Sequence, residues 1–121
     1  MFRQYSVLLI ALALTACSKP LPEFEKLDLT AWQNDKNACG EYRSSTLETF
    51  QSQKEKLLAL DESQIIELLG RPDQNELYKR NQKFFYYYLK PSSACPQPST
   101  EPRRLAVRFN AMGLAKEVAV E

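Results

Sequence analysis

The chain of 121 residues contains no histidine, three glycines, three cysteines and one tryptophan. Without histidine there is no imidazole to act as a general base near neutral pH or as a metal ligand, which removes the commonest acid–base and nucleophilic constellations. Gly40, Gly70 and Gly113 stand too far apart to build a phosphate-cradling loop, and no G-x-S-x-G is present. A structural zinc site needs four thiolate or imidazole ligands, more than three cysteines supply. Charge is nearly balanced, with 16 Lys and Arg against 15 Asp and Glu. The strong basic excess of a general nucleic-acid binder is therefore missing. The longest uncharged apolar run, Val7 to Leu14, is eight residues, too short to span a bilayer. Neither a catalytic constellation nor a cofactor or metal site is expected.

What is present begins at the N-terminus. The apolar run sits behind one cation, Arg3, and gives way to Leu14-Thr15-Ala16-Cys17, the layout of a short export signal rather than a permanent helix. Those four residues resemble the lipobox of bacterial lipoproteins, in which small residues precede a cysteine that receives a diacylglycerol before cleavage on its N-terminal side. The resemblance implies that residues 1–16 are a signal peptide and that Cys17 becomes the lipidated first residue. An ordinary secretory signal with an incidental cysteine is the alternative. At about 0.8 kcal/mol per buried methylene, several acyl chains anchor a protein stably. Ser18 stands where an aspartate holds some lipoproteins in the inner membrane, which implies an outer-membrane, periplasm-facing address.

Cleavage after residue 16 would leave 105 residues, enough for one small domain. Residues 18–70 carry six Lys and Arg against ten Asp and Glu, and residues 71–121 nine against five, so any cationic surface belongs to the second half. Cys39 and Cys95 would reach an oxidising compartment, where a disulfide is the economical expectation and two free thiols the alternative. No C-x-x-C is present for redox chemistry.

Residues 17–28, with Pro20 and Pro22, read as a lipidated tether that extends at most about 35 Å, and residues 29–121 as a single domain. Thr30 can cap a short helical turn that carries Trp32. Ser45-Thr46-Leu47-Glu48 has capping-box spacing, and Leu47, Phe50, Leu57 and Leu58 follow it, predicting a helix over 46–59. Asp61 with Gln64 starts a second helix, whose apolar side is Ile65, Ile66, Leu68 and Leu69 and which Gly70 and Pro72 end. A corner of one or two residues joins the two. Glu76 to Arg80 and Lys83 to Leu89 then read as a hairpin around Asn81-Gln82, with "KFFYYYL", apolar on both faces, as a central strand. The Pro91 to Pro102 loop carries Cys95 and is expected to cover an edge of the sheet. Leu105 to Val120 reads as a second hairpin, turning at Ala111-Met112-Gly113.

Asp35-Lys36-Asn37-Ala38-Cys39-Gly40 begins like a calcium loop. A cysteine at position five and Thr46 at position twelve break the ligand pattern, which leaves a turn beside a disulfide. Tyr86, Tyr87 and Tyr88, with Phe84 and Phe85, suit either core packing or a recognition face, because tyrosine combines apolar area with a hydrogen-bonding tip. Arg71, Lys79, Arg80, Lys83, Lys90, Arg103, Arg104 and Arg108 form either a patch for an acidic partner or lipid headgroups, or charges that protect strand edges. Carboxylates such as Asp61, Glu62, Asp73 and Glu76 are placed at caps and turns.

The lipobox at Cys17, the helix ending in "ELLGRPD" (Glu67 to Asp73) before an aromatic strand, and the terminal "LAVRFNAMGLAKEVAV" (Leu105 to Val120) resemble small outer-membrane lipoproteins of the SmpA/OmlA type, the BamE-like fold. That likeness spans about residues 46–120, and it implies α+β architecture: two helices packed on a small antiparallel sheet of about three to four strands, as a two-layer sandwich. It also implies a non-enzymatic structural or assembly accessory, anchored to the membrane by lipid, that binds another envelope protein. A periplasmic inhibitor or ligand-binding module using the aromatic strand is the alternative. Cys39, Cys95, "LTAWQNDKNACGEYR" and the Pro91 to Pro102 loop depart from that family. The candidate binding residues are Tyr86, Tyr87, Tyr88, Arg103 and Arg104.

Overall fold

The computed structural model describes residues 19–78 and 82–121. Residues 1–16, expected from the sequence to be a signal peptide, together with Cys17, Ser18, Lys79, Arg80 and the expected turn residue Asn81, lie outside the described residues. Among those described, no helix is long and apolar enough to cross a membrane.

The first helix, α1 (Leu29–Asn34), is capped by Asp28, whose Oδ1 accepts the amides of Thr30 and Ala31 at 3.0 and 3.2 Å. Thr30 therefore lies inside the helix and is not its cap. Asp28 is the residue in extended conformation, and its carboxylate serves two of the unpaired first-turn donors. A 3-10 turn, Lys36–Ala38, leads to α2 (Tyr42–Ser45) and α3 (Leu47–Gln51).

The single helix expected over 46–59 is broken, because α3 stops at Gln51 and a 3-10 turn, Lys54–Leu57, follows. Side chains take a carbonyl that would have continued the ladder. Ser52 Oγ and Gln53 Nε2 both donate to Thr49 O, at 2.9 and 3.0 Å. Such local bonds compete with helix propagation. Nor is Ser45 a capping-box residue, since its hydroxyl donates back to Tyr42 O at 3.0 Å.

The capping box at Asp61 is present. Gln64 N donates to Asp61 Oδ1 at 2.8 Å and Asp61 N to Gln64 Oε1 at 3.0 Å, opening α4 (Glu62–Leu69). Ile65, Leu68 and Leu69 face the core while Ile66 turns outward. Gly70, at φ 79° and ψ −176°, ends the helix in a conformation open to glycine alone. The corner before α4 is longer than expected, Leu58 to Asp61, with Ala59 at φ 68°. It pairs with the sheet through Ala59 N to Ala115 O and Ala115 N to Leu60 O, both 2.8 Å.

Four strands, β1 (Gln74–Tyr78), β2 (Gln82–Tyr88), β3 (Arg104–Phe109) and β4 (Ala115–Val120), form an antiparallel meander in the order 1-2-3-4. The fold is α+β, with four short helices rather than two among the described residues. β1 begins two residues before the expected Glu76, directly after Pro72-Asp73. β2 is an inner strand, paired on both sides. Its period-two pattern sends Phe85 and Tyr87 into the core and Phe84, Tyr86 and Tyr88 to the opposite face. The Pro91 to Pro102 loop joins the two inner strands. Instead of covering a sheet edge it is held against the first 3-10 turn, by Ser92 N donating to Asn37 O at 3.1 Å and by the Cys39–Cys95 disulfide.

Trp32 is fully buried and stacks on Phe50 at 5.1 Å between ring centres, with Tyr87 5.6 Å away. Phe24, from the stretch read as a tether, stacks on Phe50 in turn at 5.9 Å. Residues 19–28 are thus laid along the domain. Gln53 bonds to Glu25, and Lys56 Nζ donates to Glu23 O at 2.8 Å.

Candidate binding surface and its supporting ion pair

The outer face of the sheet is built from cross-strand rows. Register places Gln74, Tyr86, Ala106 and Ala119 side by side, Glu76, Phe84, Arg108 and Glu117 in the next row, and Tyr88 beside Arg104. Tyr86 is 4% exposed although it faces away from the core. Its hydroxyl donates to Glu76 Oε2 at 3.2 Å, its ring stacks on Phe84, and the Arg104 guanidinium lies 3.8 Å above it. Arg104 Nε donates to Glu121 Oε1 at 2.8 Å. Burial works against the Arg104 charge, but the Glu121 carboxylate outweighs it through its hydrogen bond and its charge, and the guanidinium is held above its ordinary value. Arg108 pairs with Glu117 at 3.2 Å.

Tyr88, Pro102, Arg104 and Glu121 line a hollow of about 390 Å³ on this face. An aromatic ring, a proline and a paired cation suit recognition by stacking and charge. Of the five residues singled out from sequence, Tyr86, Tyr88 and Arg104 come together here. Tyr87 does not, because it points inward and its hydroxyl donates to Gly70 O at 2.8 Å. Arg103 is exposed just before β3, and its carbonyl accepts the amides of Leu89 and Lys90. Glu121 was missed, although folding the second hairpin about Met112 places it opposite Arg104.

Comparison of the chain with protein-family models, curated proteins and solved structures returned no match. Function is therefore argued from the chain's own residues. Beneath the sheet they build one further polar centre. Arg43 is fully buried, with Nη1 2.8 Å from Asp73 Oδ2 and Nε donating to Trp32 O at 2.9 Å. Its guanidinium lies 4.0 Å from the Trp32 ring centre, a cation–π arrangement that partly offsets the loss of water. Asp73 also accepts the amides of Tyr88 and Asn37, at 2.8 and 3.0 Å. This ion pair therefore holds the end of β2 that presents Tyr88.

Asp35, first residue of the calcium-like segment, uses both carboxylate oxygens on its own turn. Oδ1 accepts Gly40 N at 2.6 Å and Oδ2 accepts Arg43 N at 2.9 Å. Among the described residues no group of three His, Cys, Asp or Glu side chains is placed to hold a metal ion.

Tyr87 titrates above its ordinary value of 10.0, chiefly through burial and then through the nearby Asp73 charge, with Arg43 pulling weakly the other way. A phenol whose folded value is raised favours the folded state at any pH below its unfolded value, and that contribution is lost as pH rises beyond it. Stability is expected to fall as pH climbs past about 10, and Tyr87→Phe to flatten that fall. Urea midpoints measured between neutral and strongly alkaline pH check this. An unchanged slope in the variant would assign the loss to other groups.

Proposed function

We propose that this protein is a lipid-anchored, periplasm-facing accessory of the outer membrane that binds another envelope protein and performs no chemistry of its own. In this reading the fold is a BamE-like two-layer sandwich whose helical layer fills one face of the sheet and whose other face does the recognising. The observation that carries it is the hollow of Tyr88, Pro102, Arg104 and Glu121, with Tyr86 as the plate on which Arg104 rests. Stacking and paired charge give such a surface specificity for a protein partner. The non-enzymatic reading is supported by the occupation of Asp35, Asp61 and Asp73 in a turn, a cap and an ion pair.

A photoreactive residue at position 88 of the full chain, irradiated in native membranes, is expected to capture one envelope protein. Arg104→Glu, which reverses the charge beside Glu121, is expected to reduce that capture by about tenfold, the equivalent of 1.4 kcal/mol. Equal capture with and without Arg104 would remove this face from the interface. Recovery of a hydrolase instead of an assembly component would favour the inhibitor reading, and recovery of a small molecule the ligand-binding one.

A further inference from the structure

The most exposed large apolar side chains among the described residues are Met112, at 82%, and Leu77, at 75%. They occupy one end of the molecule. Leu77, Lys83, Phe109 and Ala115 form a single cross-strand row, and the turn holding Met112 leaves the sheet immediately beyond it. That turn is preformed, since Asn110 Oδ1 accepts the amides of both Met112 and Leu114, at 3.0 and 3.1 Å, and Gly113 takes φ 77°. Met112 is held outward on a fixed tip.

The N-terminal segment is bolted to the same end. Lys19 Nζ donates to the carbonyls of Lys56 and Leu58 at 3.0 and 2.9 Å, where the second 3-10 turn leaves acceptors free, and Gln64 Nε2 donates to Lys19 O. The corner that receives Lys19 is the one that pairs with Ala115 and bridges Leu114 through Asp61. Cys17 is two residues from Lys19, and two residues span at most about 7 Å.

We propose that this end of the domain rests on the lipid bilayer, with Met112 and Leu77 seated at the boundary between headgroups and acyl chains. The proposal rests on the reading of Cys17 as the lipid-bearing residue. An anchor emerging within two residues of a docked lysine brings this end against the lipid surface and leaves little room for a protein between them. Two apolar side chains on that end gain by leaving water. Lys83, on the same row, is already paired with Glu62 at 2.6 Å, so among the described residues of this row the attraction to lipid comes from apolar contact. The Tyr88 hollow lies at the opposite end of β2, five residues or about 17 Å along the strand, and is thereby held out into the periplasm.

A diazirine-bearing residue placed singly at positions 112, 77 and 93 of the full chain, irradiated in native membranes, tests this by the mass of the adducts. Ser93 is exposed in the disulfide-bearing loop at the far end. Phospholipid adducts are expected at 112 and 77 and not at 93. Equal adducts at all three positions, or none at 112 and 77 in protein whose mass shows an acylated Cys17, would overturn the orientation while leaving the anchor intact. Adducts at 112 and 77 on protein with an unmodified Cys17 would uphold this contact and remove the anchor. Absence of both would overturn both.

Discussion

Replacing Asp73 by asparagine is expected to destabilise the protein by about 3–5 kcal/mol, the cost of leaving one member of a buried ion pair without its partner. Arg43 and Asp73 have side chains 0% and 1% exposed, so water cannot replace the lost charge. The carboxylate accepts three donors, from Arg43, Tyr88 and Asn37. An amide offers one oxygen, and its NH₂ would face at least one of those donors. Arg43→Met is expected to be similarly damaging, because it strands Asp73. The double variant, which removes both charges of the pair together, is expected to lose clearly less than the sum of the two singles. Urea unfolding followed by the fluorescence of Trp32, the single tryptophan and a neighbour of Arg43, measures all three. Additive losses would show that the two charges do not depend on each other, and the pair would then not be what positions the end of β2.

That pair also shows where the sequence stopped being informative. Arg43 sits in "EYRSS" among polar residues and reads as a solvated charge. Only the arrival of Asp73, 30 residues later, makes it a core residue, and no local pattern encodes that meeting. Signals that act within a few residues were legible. Asp61 and Gln64 cap each other, Gly70 ends α4, and the apolar alternation from Leu105 to Phe109 reappears as the strand register. The break after Gln51 was hidden because apolar spacing at Leu47, Phe50, Leu57 and Leu58 fits a helix, while Ser52 and Gln53 compete for a carbonyl that spacing does not record. The stretch over residues 19–28 looked like a tether for its prolines and charges, yet Phe24 needs the Phe50 ring and Lys19 finds the carbonyls of Lys56 and Leu58.

The candidate site was half legible for a related reason. Alternation separates Tyr87 from Tyr86 and Tyr88, but with aromatics on both faces of β2 it does not say which set meets the helices. That choice is made by Trp32 and by the carbonyl of Gly70, which lie far along the chain. Once the inner face is assigned, the second hairpin brings Arg104 opposite Glu121, whereas its place beside Tyr88 depends on the pairing of β2 with β3 across the Pro91 to Pro102 loop. The ion pair below and the proposed recognition face above then share a strand. Asp73 holds the Tyr88 amide, so the proposed partner surface depends on a charge the partner never touches.

Opening the Cys39–Cys95 bridge is expected to cost about 4 kcal/mol, as the chain-entropy relation gives for a closed loop of this length. The two cysteines are separated by 56 positions, with Cα atoms 5.2 Å apart, and the loop they close contains α2 to α4 and the first two strands. Such a loss is a large share of the stability usual for a small domain. It should show as a lower urea midpoint under reductant, matched by the Cys39→Ser and Cys95→Ser double variant without reductant. The mass should also rise by about two units on reduction, one hydrogen per sulfur. Where the effect arises is a separate question. Asn37 O accepts Ser92 N, and Asn37 N donates to Asp73, so hydrogen bonds join the same segments alongside the sulfur bond. If the bridge acts by restricting the unfolded chain, the reduced protein keeps its Trp32 fluorescence at low urea and shows a steeper dependence on denaturant, because its unfolded state is freer to expand. If it acts by holding the Pro91 to Pro102 loop in place, reduction changes the native signal and loosens the hollow beside Pro102, weakening partner capture at position 88 before any unfolding. A fall below about 1 kcal/mol by either route would place the bridge outside the forces that hold this fold.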